Sequence, residues 1–110
     1  SRHPNGVLAL GDMLELGDMA IDEHRTLGHF VAQAAQHIDL LGVGQLSKHL
    51  VDAAMQGGLC RSQVSWAEHA SSGVGFIAER CALGRAVLLK GSRGMKLETI
   101  WDAISQSEGV

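Results

Sequence analysis

The chain has 110 residues, 45% hydrophobic and 19% charged, with four aromatic side chains and a single proline. That length suits one domain spanning residues 1–110, able to bury roughly 60–65% of its unfolded surface without metal or disulfide staples, and the composition argues against a β-sandwich and against a disordered tail. Nine bases against twelve acids give a net charge of −3, which offers no basic surface for nucleic acid or anionic lipid.

Val7 to Leu10 predicts the first strand, reached after only Ser1 to Gly6, as in a piece excised from a longer protein. In the helix that follows, Leu27, Phe30, Val31, Ala34 and Ala35 recur at helical spacing as one apolar face, and Asp22 and Glu23 occupy the first turn, where the helix dipole favours anions. Ile38 to Val43 predicts a second strand broken by Gly42 and Gly44, and Leu46, Leu50, Ala53 and Ala54 mark a second helix that stops at Gly57 and Gly58. A third strand is expected near Gln63 to Trp66. The helix after it carries Ala70, Val74, Ile77, Ala78 and Cys81 on one face and ends at Gly84, a C-terminal glycine stop. Ala86 to Leu89 predicts strand four, Leu97, Ile100, Trp101 and Ile104 line the last helix, and the tail from Gln106 is expected to fray.

Short valine- and leucine-rich runs alternating with longer helical periodicities are the pattern of βα units around a parallel sheet. Right-handed crossovers can cover both faces only if the strand order reverses once, so the expectation is an α/β fold with a doubly wound sheet of order 3-2-1-4 and helices on both faces. Ligands in such sheets bind beyond the carboxyl ends of the strands flanking the reversal, here strands one and four.

Two segments leave those strand ends. Leu10-Gly-Asp-Met-Leu-Glu-Leu-Gly17 is acidic, and residues 12–23 hold five acids (Asp12, Glu15, Asp18, Asp22, Glu23) with no base. Lys90-Gly-Ser-Arg-Gly-Met-Lys96 packs three cations and two glycines into seven residues, and residues 80–96 hold five bases (Arg80, Arg85, Lys90, Arg93, Lys96) with no acid. Either these are two solvated faces, or they are the two sides of one cleft.

Other motifs fall short of a chemistry. No GxxxxGK[ST] string is present, so the chain alone offers no phosphate cradle of the P-loop type. Gly42-Val-Gly-Gln-Leu-Ser47 and Gly73-Val-Gly-Phe-Ile-Ala78 resemble the dinucleotide fingerprint only loosely, and tight turns explain their glycines as well. Among six histidines, His24 and His29 stand five apart, roughly 140° around a helix, and no HExxH or cysteine partner suggests a metal site. Ser92 lacks a GxSxG elbow and a neighbouring base, which favours a hydrogen-bond donor over a nucleophile. Cys60 and Cys81 fit neither a redox pair nor a zinc half-site and read as two reduced thiols of a cytoplasmic protein. No run approaches the roughly 18 apolar residues of a membrane span.

At its two loops the sequence resembles the Mur ligases of bacterial cell-wall synthesis, and among them the branch that adds D-alanyl-D-alanine to UDP-N-acetylmuramoyl-tripeptide. The resemblance is carried by Leu10 to Gly17, by His24 and Gly28, by Ile38-Asp-Leu-Leu-Gly-Val-Gly44 and by Lys90-Gly-Ser-Arg-Gly-Met-Lys-Leu-Glu98. It departs where the usual Pro-Gly-Asp turn before the last strand is Leu83-Gly84-Arg85. Those ligases have three domains, and this chain is similar only to the C-terminal one. The resemblance therefore implies a bacterial, cytoplasmic, monomeric enzyme whose ATP and Mg2+ are bound mainly by a central domain, with ADP and phosphate as products. It further implies no catalytic residue in this domain alone, which is expected to be inactive by itself. Asp12, Met13, Glu15, Lys90, Gly91, Ser92 and Arg93 are the expected cleft residues, with His24 facing either the cleft or the surface. Asp12, with Glu15, would attract the dipeptide ammonium, and Lys90 or Arg93 would hold its carboxylate or the leaving phosphoryl group. The competing expectation is a stand-alone nucleotide-binding or regulatory module without chemistry.

Overall fold

A computed structural model describes residues 6–91 and 95–108, with the side chains of Glu15 and residues 105–108 outside the description. Four parallel strands, β1 (Val7–Gly11), β2 (Asp39–Val43), β3 (Val64–Ala67) and β4 (Val87–Lys90), lie in the order β3-β2-β1-β4. Helices α1 (Ala20–Ala34), α2 (Ser47–Gln56), α3 (Val74–Cys81) and α4 (Glu98–Glu108) follow β1, β2, β3 and β4 in turn. The expected strand order is thus the observed one. The last helix continues to Glu108, beyond the Gln106 at which fraying was expected.

Alternation along the strands separates two apolar layers. Leu10, Leu40, Val31, Leu50, Val51 and Ala54 form the layer under α1 and α2, while Ala9, Leu41, Val43, Ile77, Ile100 and Ile104 form the layer under α3 and α4. Strand β2, flanked by a strand on either side, is buried along its whole length, which is why its sequence reads as a nearly continuous apolar run.

Helix α1 buries a different stripe from the one its large apolar residues suggest. His24, Gly28, Val31 and Ala32 face inward, whereas Phe30 is 63% exposed. The cause is close packing against α2, because a Cβ placed on Gly28 would lie 2.2 Å from the Leu50 carbonyl oxygen and 2.9 Å from the Ala53 Cβ. Small residues let the two helices approach, and a phenylalanine on that stripe would not fit. Trp101 likewise turns outward on α4, while Leu97, Ile100 and Ile104 are buried.

The layer against α1 and α2 takes its strand side chains from β1, β2 and β3 and none from β4. Leu88, opposite Leu8 in the β1–β4 register, is 59% exposed.

At the amino end of the sheet, the Asp39 carboxylate accepts a 2.6 Å hydrogen bond from Arg80 Nε and a further one from Arg85 Nη1. Arg80 is held from its other side by the Phe76 carbonyl and lies over the Phe76 ring. Two of the five bases counted between residues 80 and 96 are therefore spent on a structural ion pair far down the strands from their carboxyl ends. No disulfide joins Cys60 to Cys81, and no described helix is long and apolar enough to cross a membrane.

Candidate functional site: the cleft beyond β1 and β4

Parallel pairing of β1 with β4, Leu10 opposite Lys90, delivers the acidic and the basic segment to the same edge of the sheet. The segments touch. A Cβ on Gly91 would sit 2.9 Å from Gly11 Cα, and one on Gly11 would sit 3.0 Å from Met95 Cβ, so only glycines allow the two chain reversals to approach this closely.

On the α1 side of this junction opens a groove of about 620 Å³. Met13, Lys90 and Gly91 line it together with Glu23 and Thr26 of α1 and the apolar Leu8, Leu10, Leu27, Phe30 and Val31. One carboxylate and one ammonium thus border an otherwise apolar hollow. Lys90 is exposed and has no ion-pair partner among the described residues, which leaves its charge available to a ligand.

Of the residues expected here, Met13, Lys90 and Gly91 line the groove. Ser92 and Arg93 lie outside the described residues, as does the side chain of Glu15. Glu23 was not among the expected site residues; its place in the first turn of α1, beside the strand end, was the signal that could have found it.

Asp12 is used differently from the ammonium contact expected of it. It is buried, and its two carboxylate oxygens accept hydrogen bonds from the backbone amides of Leu46, at 3.0 Å, and Ser47, at 2.7 Å. It therefore caps α2 from the loop that leaves β1, supplying the negative charge that the helix amino end favours. Gly44 makes room, since it holds φ at +108° and a Cβ there would fall within about 2.6 Å of the carboxylate. The anion position that a dinucleotide would take at this Gly42-Val-Gly44 turn is already filled by Asp12.

His24 is neither at the surface nor open to the cleft. It is fully buried, with Nδ1 2.6 Å from the Ala20 carbonyl oxygen and Nε2 accepting the Met13 amide at 3.1 Å. A second hollow of about 320 Å³ lies past the carboxyl end of β3, bordered by His69, Ser71, Met95, Lys96 and Thr99. Among the described residues, no three His, Cys, Asp or Glu side chains come together as metal ligands would.

No protein-family model matches the chain. It is 33% identical over 95 residues to the UDP-N-acetylmuramoyl-tripeptide--D-alanyl-D-alanine ligase of Bacillus subtilis, a match covering 86% of this chain and 20% of that protein. Two crystal structures of MurF from Acinetobacter baumannii superpose with TM-scores of 0.78 and 0.77 at 22% and 21% identity, over 96% of this chain and 23% and 22% of theirs. The chain thus spans about a fifth of the length of the curated relative it matches.

Proposed function

The chain belongs to the Mur ligases, of the MurF type, and from that premise we propose that it is the C-terminal domain of a three-domain ligase joining D-alanyl-D-alanine to UDP-N-acetylmuramoyl-tripeptide with ATP. The observation that carries this reading is the groove beyond β1 and β4, where Glu23 and Lys90 border an apolar hollow. A zwitterionic dipeptide with methyl side chains has the complementary chemistry. Glu23 draws its ammonium, Lys90 holds its carboxylate, and the Leu27 and Phe30 side accommodates the methyl groups.

The domain's contribution is to position the attacking amine and to arrange charge around it, which is where such a domain gains rate. ATP and Mg2+ do not fit the described residues as a self-contained site. The sequence has no P-loop, and the α2 amino end is closed by Asp12. Those ligands belong to a domain outside this chain, and Lys90 faces the cleft shared with it. The occupied α2 end also argues against a stand-alone dinucleotide-binding module.

The test is steady-state kinetics on the full-length ligase with Lys90→Ala and Glu23→Ala. Each should raise the KM for D-alanyl-D-alanine at least tenfold, with the ATP KM nearly constant and the thermal midpoint unmoved. Unchanged dipeptide kinetics in both variants would remove the groove from the substrate site. Tight binding of a dinucleotide to the 110-residue chain alone would favour the regulatory module instead.

A further inference from the structure

The buried imidazole of His24 has one arrangement of hydrogens that satisfies both its contacts. Ala20 offers a carbonyl oxygen, which can only accept, so the hydrogen must reside on Nδ1; Met13 offers an N–H, which can only donate, so Nε2 must present its lone pair. The other neutral tautomer would set acceptor against acceptor at one end and donor against donor at the other. A doubly protonated ring would lose the Met13 bond.

The peptide joining Asp12 to Met13 is consequently gripped from two directions. The Asp12 carboxylate is fastened to the start of α2 and its own amide donates to the Val43 carbonyl at 3.1 Å, while the Met13 amide is fastened to α1 through His24. Met13 also lines the groove, as Lys90 does. Glu23, which precedes His24 on α1, borders the same groove.

We propose that His24 is a positioning residue: its Nδ1–H imidazole latches the 12–13 peptide to α1 and thereby sets the separation of Met13 and Glu23 from Lys90 at the mouth of the groove. The inference rests on the proposed function only in taking that groove as the dipeptide site. The latch acts through Met13, so it governs binding of the incoming amine rather than the chemistry of the acyl donor.

Two substitutions dissect the ring. In His24→Gln, a side-chain carbonyl oxygen reaches the place of Nε2 and keeps an acceptor for Met13; in His24→Asn, an amide reaches only the place of Nδ1 and keeps the Ala20 contact alone. Both fill less space than imidazole, so the comparison between them decides. On the 110-residue chain, nitrogen-15 NMR should show His24 with the hydrogen on Nδ1 and a coupling across the Met13 N–H to Nε2 bond. Exchange of the Met13 amide should be at least tenfold faster in His24→Asn than in His24→Gln.

In the full-length ligase, His24→Asn should raise the KM for D-alanyl-D-alanine roughly tenfold over His24→Gln with little change in kcat. The hydrogen on Nε2, equal Met13 exchange in the two variants, or equal dipeptide KM values would each overturn the latch. Were the parent enzyme inactive toward the dipeptide, the proposed function would fall, while the latch would stand or fall on the tautomer and the amide exchange.

Discussion

Replacing Asp12 with alanine separates a scaffold from a ligand contact. The carboxylate receives amide hydrogen bonds of 3.0 Å and 2.7 Å at the start of α2 and is 5% exposed. Hydrogen bonds to a charged group are worth about 1.5–3 kcal/mol each and loss of an N-terminal cap costs about 1 kcal/mol. The two bonds share one carboxylate and the cap is the same interaction counted again, so the expected loss is about 2–4 kcal/mol for the pair rather than their full sum. At about 4 °C per kcal/mol for a domain of this size, the thermal midpoint should fall by roughly 8–16 °C. Asp12→Asn keeps one acceptor but points an N–H at the other amide, and should lose at least half as much. Circular dichroism melts of the 110-residue chain measure both, and hydrogen exchange should show the loss beginning in the first turn of α2. A midpoint within about 2 °C of the parent for Asp12→Ala, together with weakened dipeptide binding, would refute the capping argument and return Asp12 to the ligand.

Two further substitutions test the packing and the ion pair. Gly28→Ala gains about 1 kcal/mol of helix propensity but forces α1 off the Leu50 carbonyl, an overpacking cost of about 1–3 kcal/mol, so a net loss of up to about 2 kcal/mol is expected in urea melts, toward the upper end because the 2.2 Å approach is to backbone. Asp39→Ala removes the buried partner of Arg80, 13% exposed, leaves it only the exposed Glu79 carboxylate at 3.2 Å, and should cost about 2–3 kcal/mol, whereas Arg85→Ala, 26% exposed, should cost under about 1 kcal/mol; neither should alter dipeptide kinetics in the full-length ligase.

The sheet was legible from residue pattern alone because its logic is local. Each strand is a short apolar run, each helix has its own period, and handed crossovers leave few orders to choose from. The adjacency of the two loop roots followed, since strand order decides which loops become neighbours. What escaped the pattern depends on partners distant in sequence. Asp12 looks like a loop acid until α2, some 34 residues later, brings its amides to the carboxylate. Arg80 and Arg85 look like part of a basic cluster until Asp39, at the other end of the sheet, collects both. Phe30 looks like core by size, yet Gly28 marks the true inward stripe because the spacing between α1 and α2 excludes anything larger. His24 could be read as cleft or surface, and its burial became evident only with the Met13 and Ala20 groups around it.

The glycine-to-glycine contact of residues 11 and 91 has a mechanical consequence. Main chain rests on main chain with no intervening side chain to bend or swing, so the roots of the two reversals behave as a welded seam. On the proposed reading, any movement of this unit would carry Lys90 and the end of β1 as one piece.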